Sequence, residues 1–381
     1  MTSVDVIEPA GQEERRTSYL ELFFDLVFVF AITQVVTLIL EDSSPRGFGR
    51  AALVLALVWW AWSGYAWMTN AIDIEGLSVR LLFLLGTGGV FFMALAVPDA
   101  YRDEGLWFAA PYFFVRVLNL ALYLWGLRSS REHFNALLRL APFFLVAPTV
   151  ALSGGLVQGS LRSALWIAAL AIDVIGTLSL GRENDFRVSP AHFAERYALF
   201  VIIALGESVV AIGVGAAELE RDILFALSVG VAAAGAAALW WAYFDFVSRA
   251  VERSLRAAPS RQRGPLARDV FTIFHYPIVL GVILYAVAAK QTLAHPEEPL
   301  SRPGRWALAL GIVLFLAGFV LGRFRAIRRV AWERVAGALA SVVAVVALRG
   351  TDAIGLLTVV IVILVATLAV ETSDCAMCAR N

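Results

Sequence analysis

Runs of about 20 mostly apolar residues, broken by a few polar or turn-forming ones, recur from residue 20 almost to the end of the chain. A helix of about that length crosses the hydrocarbon of a bilayer. The pattern predicts an all-α, polytopic membrane helical bundle of about twelve transmembrane helices. The first six fall at roughly 20–40, 50–69, 79–97, 107–127, 134–153 and 162–180, the second six at roughly 194–216, 223–247, 269–290, 305–324, 333–349 and 353–371. Proline, glycine or charge marks most connections, as at Pro45-Arg46-Gly47, Pro98-Asp99, Arg182-Glu183-Asn184-Asp185 and 296–299. The fifth run contains Pro142 and Pro148, and kinks are tolerated in membrane helices.

Two of the runs are alike. Laying YLELFFDLVFVFAITQVV (19–36) over HFAERYALFVIIALGESVVAIGVG (192–215) sets Glu21 on Glu195, Phe23 on Tyr197 and Val27 on Val201. At nearly the same offset, Trp59-Trp60-Ala61-Trp62 falls on Trp240-Trp241-Ala242-Tyr243. Two matches at similar offsets point to a duplication, and an even number of spans per half makes the copies parallel. The expected layout is two parallel six-helix repeats: a cytoplasmic tail at 1–19, halves at 20–181 and 182–371, and a cytoplasmic tail at 372–381.

Composition supports the membrane assignment. The chain is 60% hydrophobic and 16% charged, with mean hydropathy +0.76, against about 45–50% and 25% in soluble domains. Lipid is therefore a partner. Formal net charge is zero and the basic residues are spread over loops, so no nucleic-acid partner is expected. Counting basic residues in alternate loops gives about 21 on the side of the termini and about 9 on the other. That asymmetry puts both termini in the cytoplasm. The most basic stretches, the loop 249–268 and the segment 323–334, read as topology determinants near anionic headgroups, with partner binding or lipid sensing as the alternative. Small residues at 232–238 and the Gly318-x-x-x-Gly322 spacing let helices approach closely and suit internal packing. Residues 1–19 lack an apolar core and a small-residue cleavage site, so no signal peptide is expected. Cys375-x-x-Cys378 is a lone pair without further zinc ligands, and Arg380 spoils the terminal prenylation spacing.

Ionisable residues inside spans are costly and face a bundle interior or a wet cavity. Glu21 and Asp25 lie one turn apart and hence on one face; by the repeat, Glu195 stands where Glu21 does. Asp245 and His275 sit one to two turns in from the same side. Arg116, Asp173 and Glu207 lie near mid-membrane, with Asn119 one turn from Arg116. Gly206, Ser208 and Gly213 leave room around Glu207 for a small ligand or water. The alternative is structural: a buried ion network for Arg116, Asp173 and Glu207, and acids on the helix dipole for Glu21 and Asp25. The tryptophan groups read as packing or belt residues. No phosphate-cradling loop, H-E-x-x-H or G-x-S-x-G occurs, so an enzyme, a cofactor and a metal are not expected.

ELFFDLVFVFAITQ, HFAERYALFVIIALGESVVAIG and the WWAW and WWAYFDF segments resemble the signature stretches of the bacterial low-temperature-requirement A (LtrA) family, over nearly the whole chain. The resemblance implies a multi-pass bacterial inner-membrane protein linked to growth in the cold, and it brings no substrate, cofactor or catalytic residue. The residues themselves suggest a secondary transporter, proton- or cation-coupled, with a polar path near mid-membrane for a small solute or ion. The competing class is a non-transporting structural or sensory protein of envelope adaptation, and a membrane-embedded enzyme is third.

Overall fold

The computed structural model describes residues 16–179, 188–217, 220–245 and 249–378. The expected turn at Arg182-Glu183-Asn184-Asp185 lies outside the described residues. The elements are helical throughout: α1 Tyr19–Glu41, α2 Pro45–Ala71, α3 Leu77–Leu95, α4 Gly105–Leu127, α5 Arg131–Gly155, α6 Gly159–Ser179, α7 Pro190–Ala216, α8 Ile223–Tyr243, α9 Arg249–Ala257, α10 Ser260–Ala267, α11 His275–Ala294, α12 Arg302–Ile327, α13 Trp332–Ala347 and α14 Ala353–Cys378. Among the described residues, eleven helical segments are long and apolar enough to cross a membrane. The run expected at 333–349 is α13, a helix of 16 residues. At 1.5 Å per residue it spans about 24 Å, short of the ~30 Å hydrocarbon.

Two further boundaries differ from the sequence reading. The stretch 249–268 is no loop: it folds as α9 and α10, followed by a π-helical turn, Arg268–Ile273, that leads into α11. Its regular arginine spacing allows a short amphipathic helix as readily as a coil. At the C-terminus α14 continues to Cys378, so the residues after 371 begin as helix. The side chains of Cys375 and Cys378 lie outside the described residues.

Helix α1 displays the logic of the chain. Glu21, Phe24, Asp25 and Phe28 are buried, whereas Phe23 and Leu26 are 51% and 60% exposed. Apolar groups cover the outside and the charged ones are inside, as expected where the solvent is hydrocarbon. Ser18 begins the helix with a capping box: its hydroxyl accepts from Glu21 N–H, and the Glu21 carboxylate accepts from Ser18 N–H. Two orphan donors of the first turn are thereby satisfied.

The chain divides into two compact units. One comprises residues 1–197 and 255–268, the other 198–254 and 269–381, so the boundary falls inside α7. In the first unit α1 packs on α2 and α3, α2 on α4 and α6, and α3 through α6 each on the next. Arg162, buried at the start of α6, donates to the carbonyls of Ala100, Arg102, Gly154 and Val157 and ties two loops to α6. In the second unit α8 packs on α11 and α14, and α11 through α14 each on the next. A Cβ at Gly318 would strike Ile278 and the Phe274 carbonyl, and one at Gly235 would strike Tyr285. The small residues therefore serve packing within this unit.

Candidate functional site

The first turns of α1 and α7 carry the densest polar cluster of the first unit. Glu21 and Asp25 are four residues apart on α1, and His192 and Arg196 are four apart on α7, so each pair makes one face. The faces meet in register. His192 Nε2 lies 3.2 Å from Glu21 Oε1, and Arg196 Nη1 donates to Asp25 Oδ2 at 2.7 Å. Matching the pairs in the same chain order requires the two helix starts to run parallel. All four residues are at most 2% exposed.

Helix α2 closes the cluster. Trp62 Nε1 donates to Asp25 Oδ1 at 2.8 Å, and Arg196 stands 5.7 Å from the centre of the Trp62 ring. Trp59 stacks on Trp62, and Tyr197 meets it edge-on. Asn70 Oδ1 accepts from Ser189 N–H at 3.0 Å, and its Nδ2 lies 3.2 Å from His192 Nδ1. Hydrogen bonding is incomplete. Among the described residues, Glu21 Oε1 and the Nε and Nη2 of Arg196 have no hydrogen-bond partner.

Glu195, the counterpart of Glu21 in the sequence match, is exposed and accepts from Thr17 N–H at 3.0 Å. It sits one residue, hence 100°, around the helix from Arg196. The residues missed were His192 and Arg196, whose own four-residue spacing was the available signal, and Trp62, read as a packing residue.

Deeper in the first unit, Arg116 on α4 grips Asp173 on α6 with two parallel bonds of 2.8 and 2.7 Å. The expected contribution of Asn119 is absent: Asn119 Nδ2 is 3.5 Å from the Met68 sulfur. Tyr112 instead takes a bond from Arg116 Nη1 at 3.0 Å. Helical side chains lean toward the N-terminus, so Arg116 reaches back four residues to Tyr112 more easily than forward three to Asn119. Phe144 covers the guanidinium at 5.6 Å, and Trp60 hydrogen-bonds Asp173.

In the second unit Glu207 and Ser208 are buried in α7, and the Ser208 hydroxyl has no hydrogen-bond partner among the described residues. His275 is occupied: its Nδ1 donates to the Val270 carbonyl at 2.8 Å, and its Nε2 accepts from the Tyr243 hydroxyl at 3.0 Å. Asp245 is exposed at the end of α8. An unforeseen network joins α12, α13 and α14. Arg334 donates to Glu371 at 2.9 Å and lies over Phe319 at 4.5 Å, while Arg323 donates to Glu333 at 2.6 Å. Among the described residues no group of three or more His, Cys, Asp or Glu is arranged to hold a metal ion.

These polar residues fall within a recognisable sequence profile. The description "Bacterial low temperature requirement A protein (LtrA)" belongs to a family that matches residues 16–369. A protein of Rhizobium meliloti (strain 1021), "Uncharacterized protein RA0937", is 33% identical over 323 residues, covering 80% of this chain and 76% of its own. No solved structure matches. The match spans the α1–α7 cluster, the Arg116–Asp173 pair and Glu207, and the chain belongs to the bacterial low temperature requirement A family of membrane proteins.

Proposed function

We propose that this protein is a secondary transporter of the bacterial inner membrane, proton- or cation-coupled, rather than an enzyme. The observation that carries the reading is the Glu207–Ser208 pair. Glu207 lies nine residues before the end of α7, roughly 14 Å along the axis, which is close to half the hydrocarbon thickness. Most hydroxyls of the spanning helices bond the carbonyl one turn back, as Thr33, Thr87, Thr292 and Thr358 do. Ser208 does not, although it is buried, and neither does Ser228 on α8. Unspent hydrogen-bonding capacity beside a mid-depth carboxylate is costly in hydrocarbon unless a ligand uses it.

Two further features support the reading. The neighbour pattern α2 on α6 recurs as α8 on α14, which suits two parallel repeats of the kind that transporters use. The arginine asymmetry favours cytoplasmic termini and an outward loop at 296–299. The transported species is then a small solute or ion, and lipid is the other partner. A second reading, a non-transporting structural or sensory protein, is favoured by the saturated Arg116–Asp173 pair.

Glu207→Gln separates the two. It keeps shape and hydrogen bonding and removes the charge cycle. A transporter predicts normal insertion and abundance with loss of solute flux in proteoliposomes and loss of growth at low temperature in cells. A structural role predicts full activity for Gln and loss of folded protein for Glu207→Ala. Wild-type activity of a well-expressed Glu207→Gln protein would end the carrier role.

A further inference from the structure

Helix α13 turns its polar side inward and its apolar side out. Arg334, Gly337, Ser341, Ala344 and Val345 are buried. Trp332, Ala336, Leu339, Val343 and Val346 are exposed and recur at helical spacing as one stripe. In a chain that spans a membrane such a stripe faces hydrocarbon. The helix that carries it covers ~24 Å, against ~30 Å for an ordinary hydrocarbon core.

Sliding along its neighbours cannot make up the difference, because α13 is pinned at both ends. At its start Arg334 donates to Glu371 of α14 at 2.9 Å and to the Ala242 carbonyl of α8 at 3.3 Å. One turn later a Cβ on Gly337 would strike Thr367 of α14. Beyond its far end, Arg305 of α12 donates to the Arg349 carbonyl at 3.0 Å. The flanking helices offer no longer belt. Arg305 to Arg323 on α12 spans ~27 Å and Asp352 to Glu371 on α14 ~29 Å, and any tilt shortens both.

Charge decides what covers the stripe. Exposed arginines bracket it, Arg329 just before the helix and Arg349 just after. A second copy docked about a two-fold axis would set each of them near its own counterpart, a like-charge contact at both ends. Phosphate headgroups complement the same arginines, whose stems lie along apolar surface while the guanidinium reaches outward. We propose that the α13 face is a docking surface for phospholipid with short acyl chains, and that the bilayer is thinned against it to ~24 Å. Short chains cover the stripe without drawing Trp332 or Arg349 below the headgroups. The inference needs only the membrane-spanning helices and is independent of Glu207 and of transport.

The test uses the full-length chain with Cys375→Ser and Cys378→Ser and one fluorophore on a single introduced cysteine. The protein is reconstituted in mixtures of dimyristoleoyl and dierucoyl phosphatidylcholine, with a nitroxide quencher at the chain end of one species at a time. Leu339→Cys reports the middle of the stripe, where Leu339 is 63% exposed. Ala234→Cys, exposed at the middle of α8, is the reference, because that helix of 21 residues covers ~32 Å and meets an ordinary core. The expected ratio of short-chain to long-chain quenching is at least about twofold higher at Leu339 than at Ala234, since mismatch is penalised for every ångström. Equal ratios at the two positions overturn the proposal. So does a Leu339 label that neither lipid quenches, because the face is then covered by protein. Val343→Cys, 65% exposed on the same stripe, carries the same test if a label at Leu339 prevents folding.

Discussion

Arg116–Asp173 and Glu21–Asp25–Arg196 are both buried arginine–carboxylate clusters of the same compact unit, and they are built on opposite principles. Arg116 has one acid, held by two parallel bonds, with Tyr112 taking a further donor and an aromatic ring over the cation. Arg196 has two acids, bonds one of them, and leaves two nitrogens unspent. One-to-one stoichiometry with full hydrogen bonding makes a fixed strut. Two acids beside one arginine and His192, with donors unspent on the arginine, leave hydrogen-bonding capacity that the one-to-one pair has used.

Three substitutions test this comparison, in decreasing size of effect. Arg116→Ala strands Asp173 in a sealed interior and should destabilise on the order of 3–5 kcal/mol, read as folded yield and thermal unfolding in detergent. Adding Asp173→Leu should recover much of that loss; no recovery would mean that the two residues are not energetically coupled and the strut is misread. Trp62→Phe keeps most of the ring but removes the donor to Asp25, for a loss of about 1–3 kcal/mol. If Arg196 is as mobile as its unspent nitrogens imply, it compensates in part, and the measured loss falls at the low end. Glu195→Gln should change stability by less than about 0.5 kcal/mol, because the carboxylate is exposed and meets only a backbone N–H. A loss approaching that of Trp62→Phe would place Glu195 inside the cluster after all.

The helical class and the span order were legible in the sequence because hydrocarbon length is a hard constraint. The α13 segment, a helix of 16 residues, shows where that reading blurs: run length overstates helix length when a polar turn such as Arg349 to Asp352 follows directly. Glu21 and Asp25 were legible as one face because spacing fixes direction around a helix. Their partners were missed although His192 and Arg196 obey the same rule. The match between the two runs sets Glu195 on Glu21 in sequence, and such a match does not say which side chains meet in space. Contact here joins acid to base at a separation of 171 residues, one helical turn short of the alignment. The saturated pair was half legible. Charge named Arg116 and Asp173 as candidates, whereas Tyr112 depended on the backward lean of a side chain, which no residue count reveals.

The capped start of α1 also carries an instruction about the order of synthesis. Glu21 and Asp25 enter the bilayer with the first helix, and their arginine lies 171 residues further along the chain. At ~5–20 residues per second the ribosome takes about 10–30 s to deliver it. For that interval α1 holds two acids without their cation, and five more hydrophobic segments are laid down around it. The first unit is therefore not electrically complete until the seventh helix has begun. A chain halted in the turn before α7 would contain every helix of its first half and still lack the charge that closes it.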